Sequence, residues 1–187
     1  MICGVDEAGR GPIAGPVVAA AVILDPERPI EGLNDSKKLS EKKRAKLSTE
    51  IKEKALYWAI AQSDPDEIEQ INILWATMKA MQRSVEALPV APSKVLIDGN
   101  RVPELNVPAE AIVGGDASEA CIAAASILAK VERDRQMLEW HERYPEYEFH
   151  KHKAYGTARH IELLKKYGPC PIHRRDYKPV REALANL

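Results

Sequence analysis

The longest apolar run of the chain, residues 13–24, restricts its possible folds more than any other feature. It is rich in Val, Ala and Ile, and polar residues do not alternate with apolar ones. A strand of this composition is buried on both faces, so the run predicts a sheet that is covered on both sides. Because it contains Gly15 and Pro16 and ends before Asp25, we do not expect it to cross a membrane.

The rest of the chain alternates between predicted strands and predicted helices, which is typical of an α/β domain with a mixed sheet. Strands are predicted at residues 1–7, 15–24, 56–62, 94–98 and 111–113. Helices are predicted from Ser40 to Lys54, from Asp64 to Leu88, from Asp116 onward, and from Thr157 to Tyr167. The third of these would begin with a capping box, because Asp116 and Glu119 have the required spacing.

A chain of 187 residues, of which 45% are hydrophobic and 29% charged, is long enough to bury a core of its own. This composition excludes disordered and collagen-like classes. The three cysteines show no CxxC spacing, which favours a reducing compartment over a disulfide framework or a zinc site. No signal-peptide pattern is visible, so we expect a cytoplasmic location.

The formal net charge of −1 hides an uneven distribution. Residues 37–54 carry eight Lys or Arg against three Glu, and residues 150–181 carry nine Lys or Arg against two acids. The remainder is acidic, so a polyanion would meet two basic blocks rather than the average charge. For the first block, a lysine-rich helix whose charges are simply exposed to solvent is an equally good alternative to a polyanion-binding surface.

Acidic residues end two of the predicted strands and begin a helix. Asp6 and Glu7 follow one apolar strand, Asp98 ends another, and Asp116 lies at the start of the buried helix. A buried carboxylate is costly unless it is paired or binds a metal. If these ends converge, the four side chains form an all-oxygen site that favours Mg2+ or Mn2+. Taken singly, Asp98 also fits a turn and Asp116 a helix cap, and the pair Asp6 and Glu7 fits the start of a loop.

Two further segments could bind a polyanion. Gly9-Arg10-Gly11 follows the acid pair and would let backbone N–H groups approach a phosphate or a sugar, although a tight turn is the simpler alternative. Residues 150–157 supply cations and the ring of Tyr155, which suit contacts with a nucleic-acid backbone and stacking on a sugar or base. A basic surface loop is the alternative for this segment.

Taken together, these motifs resemble the type 2 ribonucleases H, in particular the bacterial ribonuclease HII family. The resemblance extends along nearly the whole chain, with matching motifs at residues 4–17, 34–39, 97–100, 115–117, 122–134, 152–157 and 168–174. It implies a ribonuclease H-like α/β fold, in which a central mixed β-sheet is flanked by helices and followed by a helical C-terminal appendage. We expect a catalytic domain over residues 1–141 and a basic helical segment over residues 142–187 that packs on it.

The resemblance also implies the roles of individual residues. The four catalytic carboxylates would be Asp6, Glu7, Asp98 and Asp116. We expect Asp6 and Asp98 to be the central ligands of two Mn2+ or Mg2+ ions, with Glu7 and Asp116 each completing the shell of one ion. The expected substrate contacts are the loop Gly9, Arg10 and Gly11, which would read the ribose 2′-OH, together with Tyr155 at the ribo–deoxy junction, Lys37 and Lys153.

The implied activity is that of an endonuclease. It would cut the RNA strand of RNA–DNA hybrids and the 5′ side of ribonucleotides embedded in duplex DNA, leaving 5′-phosphate and 3′-hydroxyl ends. A junction resolvase, a non-catalytic hybrid-binding module and a small-molecule phosphohydrolase are the alternatives. The chain departs from the family pattern at Gly114, Ala154 and Asp176, where lysine, glycine and a small hydroxyl residue are usual. The C-terminus lacks the paired aromatics of a sliding-clamp tail, and we expect a monomer.

Overall fold

A five-stranded mixed sheet forms the centre of the molecule in the computed structural model, which describes residues 1–187. The strands are β1 (Ile2–Ala8), β2 (Val17–Ile23), β3 (Tyr57–Ser63), β4 (Lys94–Asp98) and β5 (Ala109–Ile112). Their order in the sheet is β3-β2-β1-β4-β5. β2 pairs antiparallel with β1 and β3, whereas β4 pairs parallel with β1 and β5. The predicted mixed sheet is therefore confirmed, with β1 at its centre.

Seven helices surround this sheet. They are α1 (Glu41–Lys54), α2 (Pro65–Glu86), α3 (Gly115–Ser118), α4 (Ala120–Arg143), α5 (Phe149–His152), α6 (Ala158–Tyr167) and α7 (Lys178–Ala185). The predicted caps of α1 and α6 are present, because the hydroxyls of Ser40 and Thr157 accept hydrogen bonds from backbone N–H groups three residues later. None of the helices combines the length and the apolar character that crossing a membrane requires.

β2 is buried along its whole length, as its composition predicts. Because side chains alternate between the faces of a strand, its residues contribute to two separate cores. Residues 17, 19, 21 and 23 pack in one core with residues of α2, and residues 18, 20 and 22 pack in the other with residues of α1 and α4. The sheet is thus covered on both faces. We therefore expect a site at the ends of its strands.

The first turn of α4 lies directly on β1, and a glycine makes this possible. A Cβ atom added to Gly4 would lie 2.2 Å from the backbone carbonyl carbon of Cys121. The apolar face of α4 continues this close packing with Ala124, Ala125 and Ile127, all of which are fully buried. This contact fixes the distance between the end of β1 and the start of α4.

Two of the predicted helices differ from those in the structure, one at its start and one by an internal kink. The capping-box prediction is wrong, because Asp116 lies inside the short α3 and Glu119, with φ −120° and ψ 120°, separates α3 from α4. Asp116 does not cap a helix there; α3 instead starts after Gly114, which has a φ of 68° that glycine tolerates. The predicted helix 64–88 is interrupted at Asn72, whose positive φ of 68° kinks α2 and whose side chain accepts a hydrogen bond from the N–H of Trp75.

The C-terminal segment contacts the rest of the chain through two small apolar clusters. In the first, Ala14 and Met137 are packed with Phe149 and other buried residues of the segment. In the second, Ile13 packs with three residues of α6 and α7, namely Leu164, Val180 and Ala183. The loop between β1 and β2 therefore lies between the sheet and the C-terminal helices.

The close contact between β1 and α4 predicts that Gly4→Ala lowers the stability of the protein. The added methyl group would overlap backbone atoms, which cannot rotate away as a side chain would, so we expect a loss of about 1–3 kcal/mol in the free energy of unfolding. Gly156→Ala is the control, because its added Cβ would only reach Ile13 Cγ2 at an ordinary 3.5 Å. Equal unfolding free energies for the two variants in urea would contradict this packing.

Candidate active site

The register between two parallel strands brings the first acidic residues together. Val5 of β1 pairs with Ile97 of β4, so the next residues, Asp6 and Asp98, lie side by side at the carboxyl ends of the strands. Carboxylate oxygens of Asp6, Glu7 and Asp98 all lie within 4.8 Å of one another. The N–H of Glu7 also donates a hydrogen bond of 2.7 Å to Asp6 Oδ1. We call these three residues the carboxylate cluster.

Asp116 approaches the carboxylate cluster from the other side. Its backbone N–H donates a hydrogen bond of 3.1 Å to Asp98 Oδ1, and the residue lines the same pocket as the cluster. Gly115 packs closely at this point, because a Cβ there would lie 2.6 Å from Ile122 Cδ1 and 3.6 Å from Asp98 Oδ1. All four predicted carboxylates thus share one pocket, although only three have oxygens within the 4.8 Å group.

The electrostatics of the carboxylate cluster are unfavourable without a cation. Asp6 is only 4% exposed, and its burial, together with the negative charges of Glu7 and Asp98, raises its pKa well above the usual range. Burial also raises the pKa of Glu7, although the positive charge of Arg10 works in the opposite direction. The buried Glu7 Oε2 has no hydrogen-bond partner in the chain. A converging set of oxygen ligands with one oxygen unsatisfied fits a divalent cation.

Asp116 is also affected by neighbouring acids. Its pKa is raised first by partial burial and then by the negative charges of Asp98 and Asp35, whereas Lys37 lowers it. Asp35 is an acidic neighbour that sequence reasoning did not single out, although it lies in the motif 34–39. Its carboxylate accepts a hydrogen bond from the N–H of Lys37 and thereby caps the short 3-10 turn Ser36–Lys38.

A pocket of about 310 Å³ lies above the carboxylate cluster. Most of the predicted substrate contacts line it, including the glycine loop, Lys37 and Tyr155. Lys153 does not line it, because its Nζ folds back and donates a hydrogen bond of 2.7 Å to the carbonyl of His150. The polar residues that sequence reasoning missed in the pocket are Ser36, Ser126, Lys130 and Arg133. All four lie within the family-like motifs at residues 34–39 and 122–134, but the pattern of these motifs does not distinguish them from core residues.

Lys130 and Tyr155 form one wall of the pocket. Lys130 Nζ lies 6.0 Å from the centre of the Tyr155 ring and 3.0 Å from Asp134 Oδ1. Tyr155 remains 44% exposed, so its ring is available to a ligand. The Tyr155 ring also lies beside the glycine loop, because a Cβ on Gly11 would lie 3.6 Å from Tyr155 Cε1.

Arg133 connects the loop between β1 and β2 to the segment that carries Tyr155. Its buried guanidinium donates hydrogen bonds to the carbonyls of Ala14 (2.9 Å), Pro16 (3.2 Å) and Lys153 (2.8 Å). Gly9, with a φ of 95°, makes room for it, since a Cβ there would lie 2.2 Å from Arg133 Nε. A side chain at position 9 would therefore displace this arginine.

The backbone before Tyr155 has an unusual conformation. Lys153 and Ala154 have φ values of 54° and 71°, in the left-handed region that favours glycine. Ala154 is one of the positions at which the chain departs from the family pattern, and the usual glycine would adopt this φ without strain. The Ala154 carbonyl accepts a hydrogen bond of 2.9 Å from the N–H of Ile13, so the strained turn is tied to the loop after β1.

A chain of buried histidines supports the same turn. His173 Nδ1 accepts the N–H of Cys170 at 3.0 Å, so the ring proton of neutral His173 is on Nε2, which lies 2.9 Å from His160 Nε2. His160 Nε2 must then accept, and its Nδ1–H donates to the carbonyl of Tyr155 at 2.9 Å. Every ring nitrogen in this chain has one fixed role, so protonation of either histidine would place two donors against each other.

Known proteins resemble this chain in both sequence and fold. A family model described as Ribonuclease HII matches residues 3–180. The chain is 83% identical over 187 residues to ribonuclease HII of Idiomarina loihiensis, covering 100% of both proteins. The crystal structure of ribonuclease H2 from Pyrococcus horikoshii is similar with a TM-score of 0.80 and 29% identity, covering 97% of this chain and 96% of that one. Bst-RNase HIII in complex with Mn2+ shares the fold, with a TM-score of 0.74 and 18% identity over 98% of this chain and 69% of that one.

The fold, the acidic pocket and these relatives define a hydrolase of the ribonuclease H class, an endonuclease that acts on nucleic acid. Within this class, the chain belongs to the ribonuclease HII family.

The histidine chain predicts that acid lowers the stability of the fold. Burial lowers the pKa of His160 to about 4 and that of His173 to about 3, from an ordinary value of 6.5. Between about pH 6.5 and pH 4 the unfolded chain therefore binds protons that the folded protein does not. Each histidine is expected to reduce the unfolding free energy by up to about 1.4 kcal/mol for each pH unit of acidification in this window.

The raised pKa values of Asp6 and Glu7 increase the unfolding free energy as the pH falls, which is opposite to the effect of the histidines. The histidine contribution is therefore measured as the difference between a histidine variant and the wild type. His160→Gln removes one titrating ring, and its unfolding free energy should depend less steeply on pH between 4 and 6.5 than that of the wild type. Ser84→Ala, which alters a buried hydroxyl of α2 and no titrating group, is the control and should keep the wild-type slope. Parallel curves for the wild type and His160→Gln would refute the assignment.

Proposed function

We propose that the protein hydrolyses the RNA strand of RNA–DNA hybrids and the phosphodiester on the 5′ side of ribonucleotides embedded in duplex DNA. The observation that carries this proposal is the desolvated carboxylate cluster beside a glycine loop. Such a cluster needs cations, and a closely approaching backbone is what a 2′-OH readout requires. Products with 5′-phosphate and 3′-hydroxyl ends follow from attack on the phosphorus with departure of the 3′-oxygen.

Two divalent ions, Mn2+ or Mg2+, are the proposed cofactors. Asp6 and Asp98 would be the central ligands, and Glu7, through its unsatisfied Oε2, and Asp116 would each complete the shell of one ion. When bound, such ions activate a water molecule and stabilise the charge on the leaving oxygen of a phosphodiester. The Mn2+ complex of Bst-RNase HIII, which has the same fold, is consistent with this choice of ligand chemistry.

The residues around the cluster would hold the substrate. We propose that Arg10, Lys37 and Lys130 meet the phosphates, because all three line the pocket and carry positive charge. Tyr155 would stack on the sugar at the ribo–deoxy junction with its exposed ring. The N–H groups of the glycine loop would interrogate the 2′-OH, which distinguishes RNA from DNA. Lys153 would contribute only after its hydrogen bond to His150 is released.

The remaining proposals concern the whole molecule. Residues 142–187 would not fold independently, because their apolar side chains pack on Ile13, Ala14 and Met137. All three cysteines are free, which is compatible with the reducing, cytoplasmic location expected from the sequence. The protein would act as a monomer, and its net charge of −1 predicts a modest affinity for nucleic acid, which salt would strongly weaken.

Cleavage of defined duplexes tests the proposed function. A duplex with one embedded ribonucleotide should be cut on the 5′ side of that nucleotide when Mn2+ or Mg2+ is supplied, and the matching all-DNA duplex should stay intact because it offers no 2′-OH. End mapping of the products on a sequencing gel checks both the position and the 3′-hydroxyl. Equal cleavage of the all-DNA duplex would overturn the proposal and favour a junction resolvase.

Asp98→Asn tests the site. The substitution keeps the shape of the side chain and an oxygen for the N–H of Asp116, so we expect the thermal unfolding profile to change little. It removes a negative charge from the centre of the cluster, so nearly all cleavage of the duplex with one ribonucleotide should be lost. Asp64→Asn, which alters an acid at the start of α2 outside the pocket, is the control and should cut normally. Wild-type turnover by Asp98→Asn would exclude this assignment.

A further inference from the structure

We infer that Arg174 and Tyr177, which lie before α7 in the C-terminal segment, are positioning residues that set how well the pocket distinguishes ribose from deoxyribose. They would act through the carbonyl groups of the glycine loop and need not touch the substrate. This inference rests on the proposed function, because it assumes that the N–H groups of Gly9–Gly11 read the 2′-OH.

Arg174 is a buried cation without a carboxylate partner. It is 0% exposed, and its guanidinium donates hydrogen bonds to the carbonyls of Gly9 (2.6 Å), Arg10 (3.0 Å) and Gly15 (2.9 Å). Removing a guanidinium from water is costly unless its N–H groups are hydrogen-bonded. Moving any of these carbonyls would leave a buried Arg174 N–H group without an acceptor, so the carbonyls are held in place. Three of the carbonyls between β1 and β2 thus point into the protein.

Tyr177 provides a second donor for one of these carbonyls. Its hydroxyl donates to the Arg10 carbonyl at 2.7 Å and accepts a hydrogen bond from Arg174 Nη1 at 3.0 Å. The Arg174 guanidinium also lies 5.2 Å from the centre of the Tyr177 ring. The carbonyls of Gly9 and Arg10 receive side-chain hydrogen bonds from these two residues alone. Arg133 holds the later part of the loop, at Ala14 and Pro16.

Anchoring the carbonyls fixes the direction of the N–H groups. The chain has no cis peptide bond, and in a trans peptide the N–H points away from the carbonyl of the same unit. The carbonyls of Gly9 and Arg10 point to Arg174, so the N–H groups of Arg10 and Gly11 point away from it. Neither N–H has an acceptor within the chain, and both residues line the pocket. Arg174 and Tyr177 thereby present two free donors to a substrate.

Tyr177→Phe is the informative variant. It keeps the ring and its packing but removes one of the two donors to the Arg10 carbonyl, so the peptide that carries the Gly11 N–H can rotate more freely. The readout is the ratio of two dissociation constants, for an all-DNA duplex and for the same duplex with one ribonucleotide. Both are measured in an Asp98→Asn background, with the metal present, so that the substrate is not consumed. We expect the ratio to fall about fivefold, as for the loss of one hydrogen bond.

Tyr147→Phe is the matched control. Its hydroxyl also donates to a backbone carbonyl, that of Gly168, and the residue is 3% exposed in the same C-terminal segment, but it does not contact the glycine loop. It should destabilise the protein and leave the ratio unchanged. A purely structural role for Tyr177 would likewise leave the ratio unchanged, because a general loss of folded protein weakens the binding of both duplexes equally.

The outcomes separate the inference from the proposed function. A reduced ratio in Tyr177→Phe alone supports the inference. If the parent distinguishes the two duplexes but Tyr177→Phe retains the same ratio, or Tyr147→Phe reduces it equally, the inference is wrong and the proposed function stands. If the parent does not distinguish the duplexes and the wild type cleaves both, the proposed function fails, and the inference fails with it.

Discussion

The parallel pairing of β1 with β4 is the interaction on which the site depends. It places Asp6 beside Asp98 at the carboxyl ends of two central strands and brings Glu7 into the same cluster. These carboxylates repel one another and are partly removed from water, so on their own they would oppose the pairing. The apolar cores on both faces of the sheet stabilise it against that repulsion. The fold therefore keeps a group of mutually repelling carboxylates at the carboxyl ends of β1 and β4.

A second constraint comes from the C-terminal segment, which does more than cover apolar surface. Arg174 reaches back to the loop after the acid pair, while Arg133 of α4 joins that loop to the turn before Tyr155. Both guanidiniums are buried and bind backbone carbonyls instead of carboxylates. Used in this way, the two cations hold irregular backbone in place. The glycine loop and Tyr155 are thus positioned by one connected framework.

The sequence predicted much of this fold because its signals are local. The apolar character of β2, the caps at Ser40 and Thr157, and the acids at strand ends each depend on a few neighbouring residues. The start of α4 was predicted wrongly, because a capping box describes spacing alone, whereas the Asp116 N–H binds Asp98, eighteen positions away in the chain. Lys153 was expected to face the substrate as part of a basic motif, yet a left-handed backbone directs its side chain to His150. The roles of Arg133 and Arg174 depend on contacts more than a hundred residues apart, which no local pattern contains.

The binding of Mn2+ in the absence of nucleic acid tests the central claim, that the carboxylate cluster is built for divalent cations. Isothermal titration calorimetry should show saturable binding of Mn2+ to the wild type at neutral pH. Binding should be much weaker for Glu7→Gln, because this variant replaces the carboxylate whose buried Oε2 has no partner in the chain. Wild-type affinity in Glu7→Gln, or no binding to the wild type, would contradict the account.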